Sequence, residues 1–286
     1  MPNHISSRMT AEDGYYLDTI LNHLKSRHNL DFSQYRKSYL YRRIHSRILH
    51  TKSSSLKDYV SFLSAHPEEY LKLIDALTIN VSEFFRDKEV FEFVSDVIVK
   101  EIINNYIDPT TGTLQKKIFV WSAGASHGQE PYSLAMIFTK KFQERGIPLD
   151  MVRILATDID DESLEKARQG IYTSKEIEAV PLTYKKFFQL DSLKKEARVE
   201  EKIKNLVSFS KSNLVLDPAP NYMDLILCRN VFIYFSKELQ REIMNKLAQA
   251  LNKKGFLILG KIESIFNPPS ELVVFNNLHK VFQKVR

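Results

Sequence analysis

The fold of this chain is decided by one stretch, Ile118-Phe119-Val120-Trp121-Ser122-Ala123-Gly124-Ala125-Ser126-His127-Gly128-Gln129-Glu130-Pro131-Tyr132-Ser133. It begins as a run of β-branched and aromatic residues, which is typical of a buried strand. Small residues follow, and a helical pattern then opens with Pro131 in its first turn, where proline is tolerated. A strand, a small-residue turn and a helix N-terminus together predict the ligand-binding corner of a doubly wound α/β fold.

This corner contains only Gly124 and Gly128, so it lacks the third glycine of the dinucleotide-binding pattern G-x-G-x-x-G. A plain strand-to-helix turn is therefore an alternative interpretation of the motif alone. The segment 152–158 predicts a second buried strand, and it ends in the acid Asp158. Because a carboxylate at this position can accept hydrogen bonds from both ribose hydroxyls, Asp158 indicates a nucleoside ligand.

The α/β alternation breaks after this strand and returns further along the chain. Residues 171–210 combine adjacent phenylalanines with a highly charged stretch, and they predict an inserted small β unit. The run 225–228 predicts the next buried strand, which ends at Arg229-Asn230 on the ligand-binding edge of the sheet. An amphipathic helix over 238–251, another buried strand and a final hairpin complete the predicted domain.

The first part of the chain, residues 11–77, carries a series of short helical patterns. The helix predicted within residues 35–48 has an apolar stripe formed by Leu40, Ile44 and Ile48. A second stripe is basic and consists of Arg36, Arg43 and Arg47. One interpretation is a solvated basic face. The other is a docking surface for an acidic macromolecule, because guanidinium groups on one face bind carboxylates with defined geometry.

Residues 77–87 mix polar side chains with two adjacent phenylalanines just before another predicted helix. This composition suits a linker in which Phe84 and Phe85 are anchors. The polar side chains Asn80, Ser82 and Arg86 would then point at a ligand. A capped helix start is the alternative interpretation.

Composition limits the possible classes of protein. The chain has 286 residues, a net charge of +6 and a single cysteine, which excludes an internal disulfide and gives no cysteine cluster for a metal. No apolar run reaches the roughly 20 residues that span a bilayer, and the first ten residues do not resemble a secretory signal. These features predict a cytoplasmic protein. A pI near 9.1 indicates an acidic partner without singling out nucleic acid.

Five phrases occur in a fixed order along the chain: Asn80-x-Ser82-x-Phe84-Phe85-Arg86; Trp121-Ser122-Ala123-Gly124 with Gln129-Glu130-Pro131-Tyr132-Ser133; Ala156-Thr157-Asp158-Ile159; Asn213-Leu214; and Cys228-Arg229-Asn230-Val231-x-Ile233-Tyr234-Phe235. Their order closely resembles that of the CheR-type chemoreceptor glutamate methyltransferases of bacteria. The resemblance runs from about Tyr35 to the C-terminus, and five motifs in order make it specific.

The resemblance implies S-adenosylmethionine as methyl donor, with S-adenosylhomocysteine as product. It also implies a Rossmann-like sheet of the class I S-adenosylmethionine-dependent methyltransferases in residues 89–286, with an antiparallel β subdomain inserted at about 171–210. An N-terminal all-helical domain, residues 1–88, would close the cofactor pocket. The corresponding partner is the cytoplasmic helical region of transmembrane chemoreceptors, and Arg36, Arg43 and Arg47 would lie against it.

Carried over motif by motif, the resemblance implies a set of cofactor contacts: Asn80, Ser82, Arg86, Gly124, Glu130, Asp158, Asn213, Leu214, Asn230 and Val231. Tyr234 and Arg86 are the catalytic candidates. Tyr234 would position the acceptor oxygen near the transferred methyl group, and a buried ring whose hydroxyl is satisfied elsewhere is the alternative interpretation. Arg86 would hold the methionine carboxylate or steer the attacking glutamate. A glutamate acceptor is already ionised at neutral pH, so alignment matters more than acid–base catalysis. The incomplete glycine pattern also becomes understandable, because this cofactor has no pyrophosphate.

Two features depart from the family pattern. Lys261 stands where many members carry histidine, and residues 187–209 lack the glycines of members that bind a receptor's C-terminal tether, which disfavours tether binding. Two other functions stay open at this point. One is a methyltransferase of the same fold that acts on another protein or a small molecule, and the other is a non-catalytic S-adenosylmethionine-binding regulatory module.

Overall fold

The computed structural model describes residues 9–28, 30–78, 82–263 and 268–286. Two compact units make up the chain. The first, here called the helical unit, comprises Met1–Ile79 together with Tyr234–Leu239. The second, the sheet unit, comprises Asn80–Ile233 and Gln240–Arg286.

The described residues of the helical unit up to Thr78 form the helices α1 (Ala11–His28), α2 (Lys37–Thr51), α3 (Leu56–Ala65) and α4 (Glu69–Leu77). The apolar stripe predicted for α2 is confirmed, since Leu40, Ile44 and Ile48 are all buried. Ser55 precedes α3 and accepts a hydrogen bond from the backbone N–H of Asp58 at 3.1 Å, which satisfies one of the free donors of the helix start.

A buried ion pair joins α2 to α4. The Arg47 guanidinium donates from Nε and Nη2 to the two carboxylate oxygens of Glu69, at 2.8 and 3.0 Å. The Tyr59 hydroxyl of α3 donates to the same carboxylate at 3.1 Å. The Glu69 side chain is 4% exposed and that of Arg47 is 18% exposed. The guanidinium of Arg47, one of the three arginines of the basic stripe, is therefore engaged by Glu69 within the helical unit.

The sheet unit begins with a continuous helical segment in which α5 (Lys88–Phe93) passes through a π-helical turn (Val94–Ile98) into α6 (Val99–Tyr106). Its remaining helices are α7 (Gln129–Arg145), α8 (Asp161–Gln169), α9 (Leu182–Lys185), α10 (Glu201–Lys204) and α11 (Lys237–Ala250), the last of which starts in the helical unit. Short 3-10 turns cover Leu149–Met151 and Phe232–Tyr234.

In the part of the chain that the structure describes, seven strands form the main sheet: β1 (Ile118–Ala123), β2 (Val152–Asp158), β6 (Val207–Lys211), β7 (Met223–Cys228), β8 (Leu251–Leu259), β9 (Leu272–Asn276) and β10 (Val281–Lys284). Their order is β6-β2-β1-β7-β8-β10-β9, parallel from β6 to β8. Strand β10 is antiparallel to both neighbours. The strand order reverses between β1 and β7, which opens a crevice at the carboxyl ends of these strands.

A second, antiparallel sheet has the order β3-β5-β4, with β3 at Ile171–Thr173, β4 at Phe188–Asp191 and β5 at Glu196–Val199. The predicted small β unit is thus confirmed. The strand at Val207–Lys211, which the sequence placed at the end of this insertion, pairs instead with β2 and forms an edge of the main sheet.

No helix in the described ranges combines the length and the apolar character that crossing a membrane requires.

We expect Arg47→Met to destabilise the helical unit, because it leaves the buried Glu69 carboxylate without its guanidinium. Removing one partner of a buried ion pair typically costs about 3–5 kcal/mol. Urea unfolding followed by far-ultraviolet circular dichroism measures the loss of helix. The fluorescence of Trp121, the single tryptophan of the chain, reports separately on the sheet unit.

Arg42→Met is the matched control, since Arg42 is an exposed arginine on the same helix. Equal free energies of unfolding for the two variants would contradict the structural role of Arg47.

Candidate functional site

The turn between β1 and α7 requires glycine at its first position. Gly124 has a φ of +83°, and a Cβ atom there would lie 2.7 Å from Cγ2 of Val231. Its backbone N–H and that of Ala125 donate to the carbonyl of Thr157 at 2.8 and 2.9 Å, which fixes the turn on the end of β2. Gly124 is exposed, so a ligand can approach the backbone at this point.

Asp158 ends β2 beside this turn. Its carboxylate accepts from the backbone N–H of Ser126 at 2.8 Å and from that of Asp160 at 3.0 Å. A carboxylate offers about four acceptor positions, so part of its acceptor capacity remains for a ligand. Burial raises the pKa of Asp158, and the hydrogen bonds from Asp160 and Ser126 counteract part of that shift.

A buried arginine at the end of β7 connects two acidic groups. The Arg229 side chain is 2% exposed and forms ion pairs with Asp87 and, at 3.5 Å, with Glu130. Glu130 also accepts a hydrogen bond from the Ser122 hydroxyl at 2.8 Å. Burial raises the pKa of Glu130, while Arg229, Ser122 and Arg86 act in the opposite direction. The ion pairs of Arg229 with Asp87 and Glu130 therefore connect the linker, helix α7 and the end of strand β7.

The linker around Arg86 is strained and firmly anchored. Phe85 and Asp87, on either side of Arg86, have φ values of +52° and +58°, which are uncommon for residues with a side chain. The Phe85 N–H donates to the Ser133 hydroxyl at 3.0 Å, and its ring stacks on Tyr184 at 4.7 Å. Such conformations persist only where the surroundings over-determine them, and they are typical of binding sites.

Phe84 packs into the small β sheet, with its ring 4.7 Å from Tyr172 and 5.2 Å from Phe188. Both phenylalanines of the linker are buried. The structure therefore agrees with the expectation that they anchor the linker, and it shows that the small sheet supplies the anchor for Phe84.

The loop after β7 is shaped by a buried acid. Asn230 adopts a φ of +62°, and the Glu263 carboxylate accepts from the N–H groups of Phe232 at 2.8 Å and Gly260 at 2.5 Å. Glu263 is 3% exposed, and its burial raises its pKa. A Cβ on Gly260 would lie 2.8 Å from the N atom of Asn230, so the loops after β7 and β8 are in close contact.

The loop after β6 forms a tight turn around Asn213, whose Oδ1 accepts from the N–H of Val215 at 2.9 Å. Lys246 of α11 closes this turn. Its ammonium donates to the carbonyls of Leu214, Val215 and Asp217 at 2.9, 2.8 and 2.9 Å. The shape of the loop therefore depends on a residue of a distant helix.

The sheet unit contains nine of the ten predicted cofactor residues: Ser82, Arg86, Gly124, Glu130, Asp158, Asn213, Leu214, Asn230 and Val231. The tenth, Asn80, lies outside the described residues. Tyr234, Arg36, Arg43 and Arg47 belong to the helical unit.

From the sequence, Arg229 is placed at the ligand-binding edge without a role, and no role is assigned to two other charged residues of this site, Asp87 and Glu263. The sequence signal for a role of Arg229 is its position directly after a buried apolar run, since strand β7 ends at Cys228. Asp87 and Glu263 carried no such signal, because their partners are distant in sequence.

The strand order, the antiparallel β10 and the acid at the end of β2 define a class I S-adenosylmethionine-dependent methyltransferase. Two family descriptions match the chain, the "CheR methyltransferase, SAM binding domain" over residues 80–280 and the "CheR methyltransferase, all-alpha domain" over residues 16–78. The chain belongs to the CheR methyltransferases, as the five motifs predicted.

Curated relatives agree with this assignment. The chain is 34% identical over 235 residues to the chemotaxis protein methyltransferase of Vibrio parahaemolyticus, covering 80% of this chain and 82% of the relative. It is 32% identical over 241 residues to the chemotaxis protein methyltransferase of Borreliella burgdorferi, covering 82% and 83% of the two chains.

The site fits S-adenosylmethionine, which is the cofactor of this family. The exposed backbone of Gly124 and the spare acceptor capacity of Asp158 suit a nucleoside. Arg86 and Glu130 provide one positive and one negative group, which suits the carboxylate and ammonium of an amino-acid end.

We expect Arg229→Lys to weaken binding of S-adenosylhomocysteine about tenfold, because a lysine cannot reproduce the bridge between Asp87 and Glu130. Isothermal titration calorimetry measures the dissociation constant. Arg241→Lys serves as the control, since Arg241 is exposed on α11. Unchanged affinity in Arg229→Lys would show that the network does not support the site.

Acidification should also weaken this binding. The ionised Asp158 carboxylate is the form that accepts hydrogen bonds from the ribose hydroxyls. Affinity for S-adenosylhomocysteine is therefore highest above the raised pKa of Asp158, and it decreases as the pH falls through that pKa. We expect the decline to begin at a higher pH than for an ordinary aspartate, in calorimetry between about pH 8 and about pH 5.

Asp158→Asn should remove this component and retain the dependence due to Glu130 and Glu263, whose pKa values burial also raises. Identical pH profiles for wild type and Asp158→Asn would refute the assignment.

Proposed function

We propose that this protein transfers the methyl group of S-adenosylmethionine to glutamate side chains of chemoreceptors and forms glutamate methyl esters. The observation that carries the proposal is the intact charged set Arg86, Glu130 and Asp158 around the corner of a CheR-family sheet. The names of the relatives, chemotaxis protein methyltransferases, support a role in sensory adaptation.

The reaction requires alignment more than acid–base chemistry. A glutamate has a pKa near 4.3 and is therefore already a nucleophilic carboxylate at neutral pH. When bound, S-adenosylmethionine supplies an electrophilic methyl group. Arg86 holds a carboxylate through charge-assisted hydrogen bonds, and the strained linker keeps its backbone in one conformation. The buried rings of Phe84 and Phe85 limit the access of water from the linker side.

The remaining cofactor contacts belong to the same proposal. Asp158 accepts from the ribose hydroxyls, and the turn at Asn213-Leu214 flanks the base. Asn230 and Val231 line the crevice opposite Gly124, as the close approach of Val231 to Gly124 supports. Asn80 and Ser82 complete the set from the linker. Tyr234 positions the acceptor oxygen.

The acceptor is proposed to be the glutamate-bearing helical region in the cytoplasmic part of a transmembrane chemoreceptor. Arg36, directly before helix α2, and Arg42 within the helix are exposed, and Arg43 is half-buried. Several arginines close together on one helix suit an acidic helix, because guanidinium groups bind carboxylates with defined geometry. The proposed docking surface does not include Arg47, because the Arg47 guanidinium is hydrogen-bonded to Glu69.

The proposal is tested by incubating the protein with radiolabelled S-adenosylmethionine and membranes that contain receptors of the same organism. Label should appear on the receptors and be released by mild base, as expected for a methyl ester. Binding of S-adenosylhomocysteine without any label on the receptors would favour a different acceptor or a non-catalytic module.

Reversing the charge of Arg43 should abolish docking and preserve the cofactor site. We expect Arg43→Glu to raise the KM for receptor at least tenfold at low salt, with an unchanged dissociation constant for S-adenosylhomocysteine. Lys57→Glu is the matched control, because Lys57 is an exposed cation on α3. Normal methylation by Arg43→Glu would rule out α2 as the docking helix.

A further inference from the structure

Tyr39 of α2 contacts groups from three different segments of the helical unit. Its ring centroid lies 4.7 Å from that of Tyr234, with 39° between the ring planes. Its hydroxyl donates to the carbonyl of Leu77, the last residue of α4, at 2.6 Å. The guanidinium of Arg43, one turn further along α2, lies 5.7 Å from the centre of the Tyr39 ring. Tyr39 is only 5% exposed, so these contacts hold it in place.

The main chain around Tyr234 is fixed separately, on the start of α2. The backbone N–H of Arg36 donates to the Tyr234 carbonyl at 2.9 Å, and the Arg36 Nε donates to the Phe235 carbonyl at 2.9 Å. The N–H of Ser236 donates to the carbonyl of Gln34 at 3.1 Å. These bonds determine where the Tyr234 side chain begins, and the Tyr39 ring restricts the direction in which it can point.

Tyr39 does not itself transfer protons at neutral pH. Burial raises the pKa of Tyr39 to about 12, with a further contribution from the neighbouring Tyr234 that Arg43 opposes. The hydroxyl therefore stays protonated and remains the donor to Leu77. The contribution of Tyr39 is the position of its ring.

We propose that Tyr39 is a positioning residue for Tyr234, which it holds in the orientation that places the acceptor oxygen for methyl transfer. The hydrogen bond to Leu77 fixes the Tyr39 ring, and the ring in turn fixes that of Tyr234. This inference rests on the proposed function, in which Tyr234 contacts the acceptor. It adds a residue that none of the five motifs contains and that lies on the same helix as the proposed docking arginines.

The test is a double-mutant cycle on receptor methylation. We expect Tyr39→Leu, which removes the ring, to lower kcat about ten- to hundredfold, since small misplacements of catalytic groups have effects of this size. The dissociation constant for S-adenosylhomocysteine should stay unchanged, and the KM for receptor should change less than kcat, although the Tyr39 ring also supports Arg43. Tyr39→Phe keeps the ring and loses only the hydrogen bond to Leu77, so it should lower kcat less than Tyr39→Leu does.

If Tyr39 acts through Tyr234, adding Tyr39→Leu to Tyr234→Phe should cause no further loss of kcat. Multiplicative losses in the double variant would overturn the proposal, as would an equal loss in Tyr39→Phe and Tyr39→Leu. Urea unfolding checks that each variant is folded, and Tyr39→Met replaces Tyr39→Leu in the cycle if the latter does not fold. Absence of methylation by the wild type would instead refute the proposed function, so the two failures are distinguishable.

Discussion

The sheet unit is organised around the buried positive charge of Arg229. The guanidinium of Arg229 is almost fully buried, and a buried charge is stable only when opposite charges and hydrogen bonds surround it. Asp87 and Glu130 provide those charges from the linker and from the first turn of α7. Because one arginine pairs with both acids, the linker is held next to the first turn of α7. This support allows the strained backbone on both sides of Arg86 to persist.

Two kinds of support therefore converge on the linker. The ion pair between Asp87 and Arg229 attaches the linker to the end of β7. Aromatic packing attaches it to the small antiparallel sheet, where Phe84 contacts Tyr172 and Phe188. This gives the small sheet a structural role within the methyltransferase unit itself. A single methyl transfer requires accurate alignment and little proton transfer, and rigid support of the groups that hold the reactants is what such a reaction needs.

The arginines of α2 show how one residue type acquires different roles in the same helix. Their spacing on one stripe could be recognised from the sequence, and it suggested a common docking function. The structure separates them, because Arg47 pairs with the buried Glu69 while Arg43 lies over the ring of Tyr39. Helical periodicity identifies residues that share a face, but it contains no information about which part of that face another helix covers.

The sequence by itself determined the α/β alternation, the corner at Gly124, the acid at Asp158 and the order of motifs that identifies the family, because these features are local patterns of hydrophobicity, small residues and spacing. Only the tertiary structure decided which charges meet. The partners of Arg229, and those of Glu263, come from segments far apart in the chain, and Tyr39 reaches Tyr234 in the same way. Contacts of this kind depend on how strands and helices pack, and a local pattern does not specify that packing.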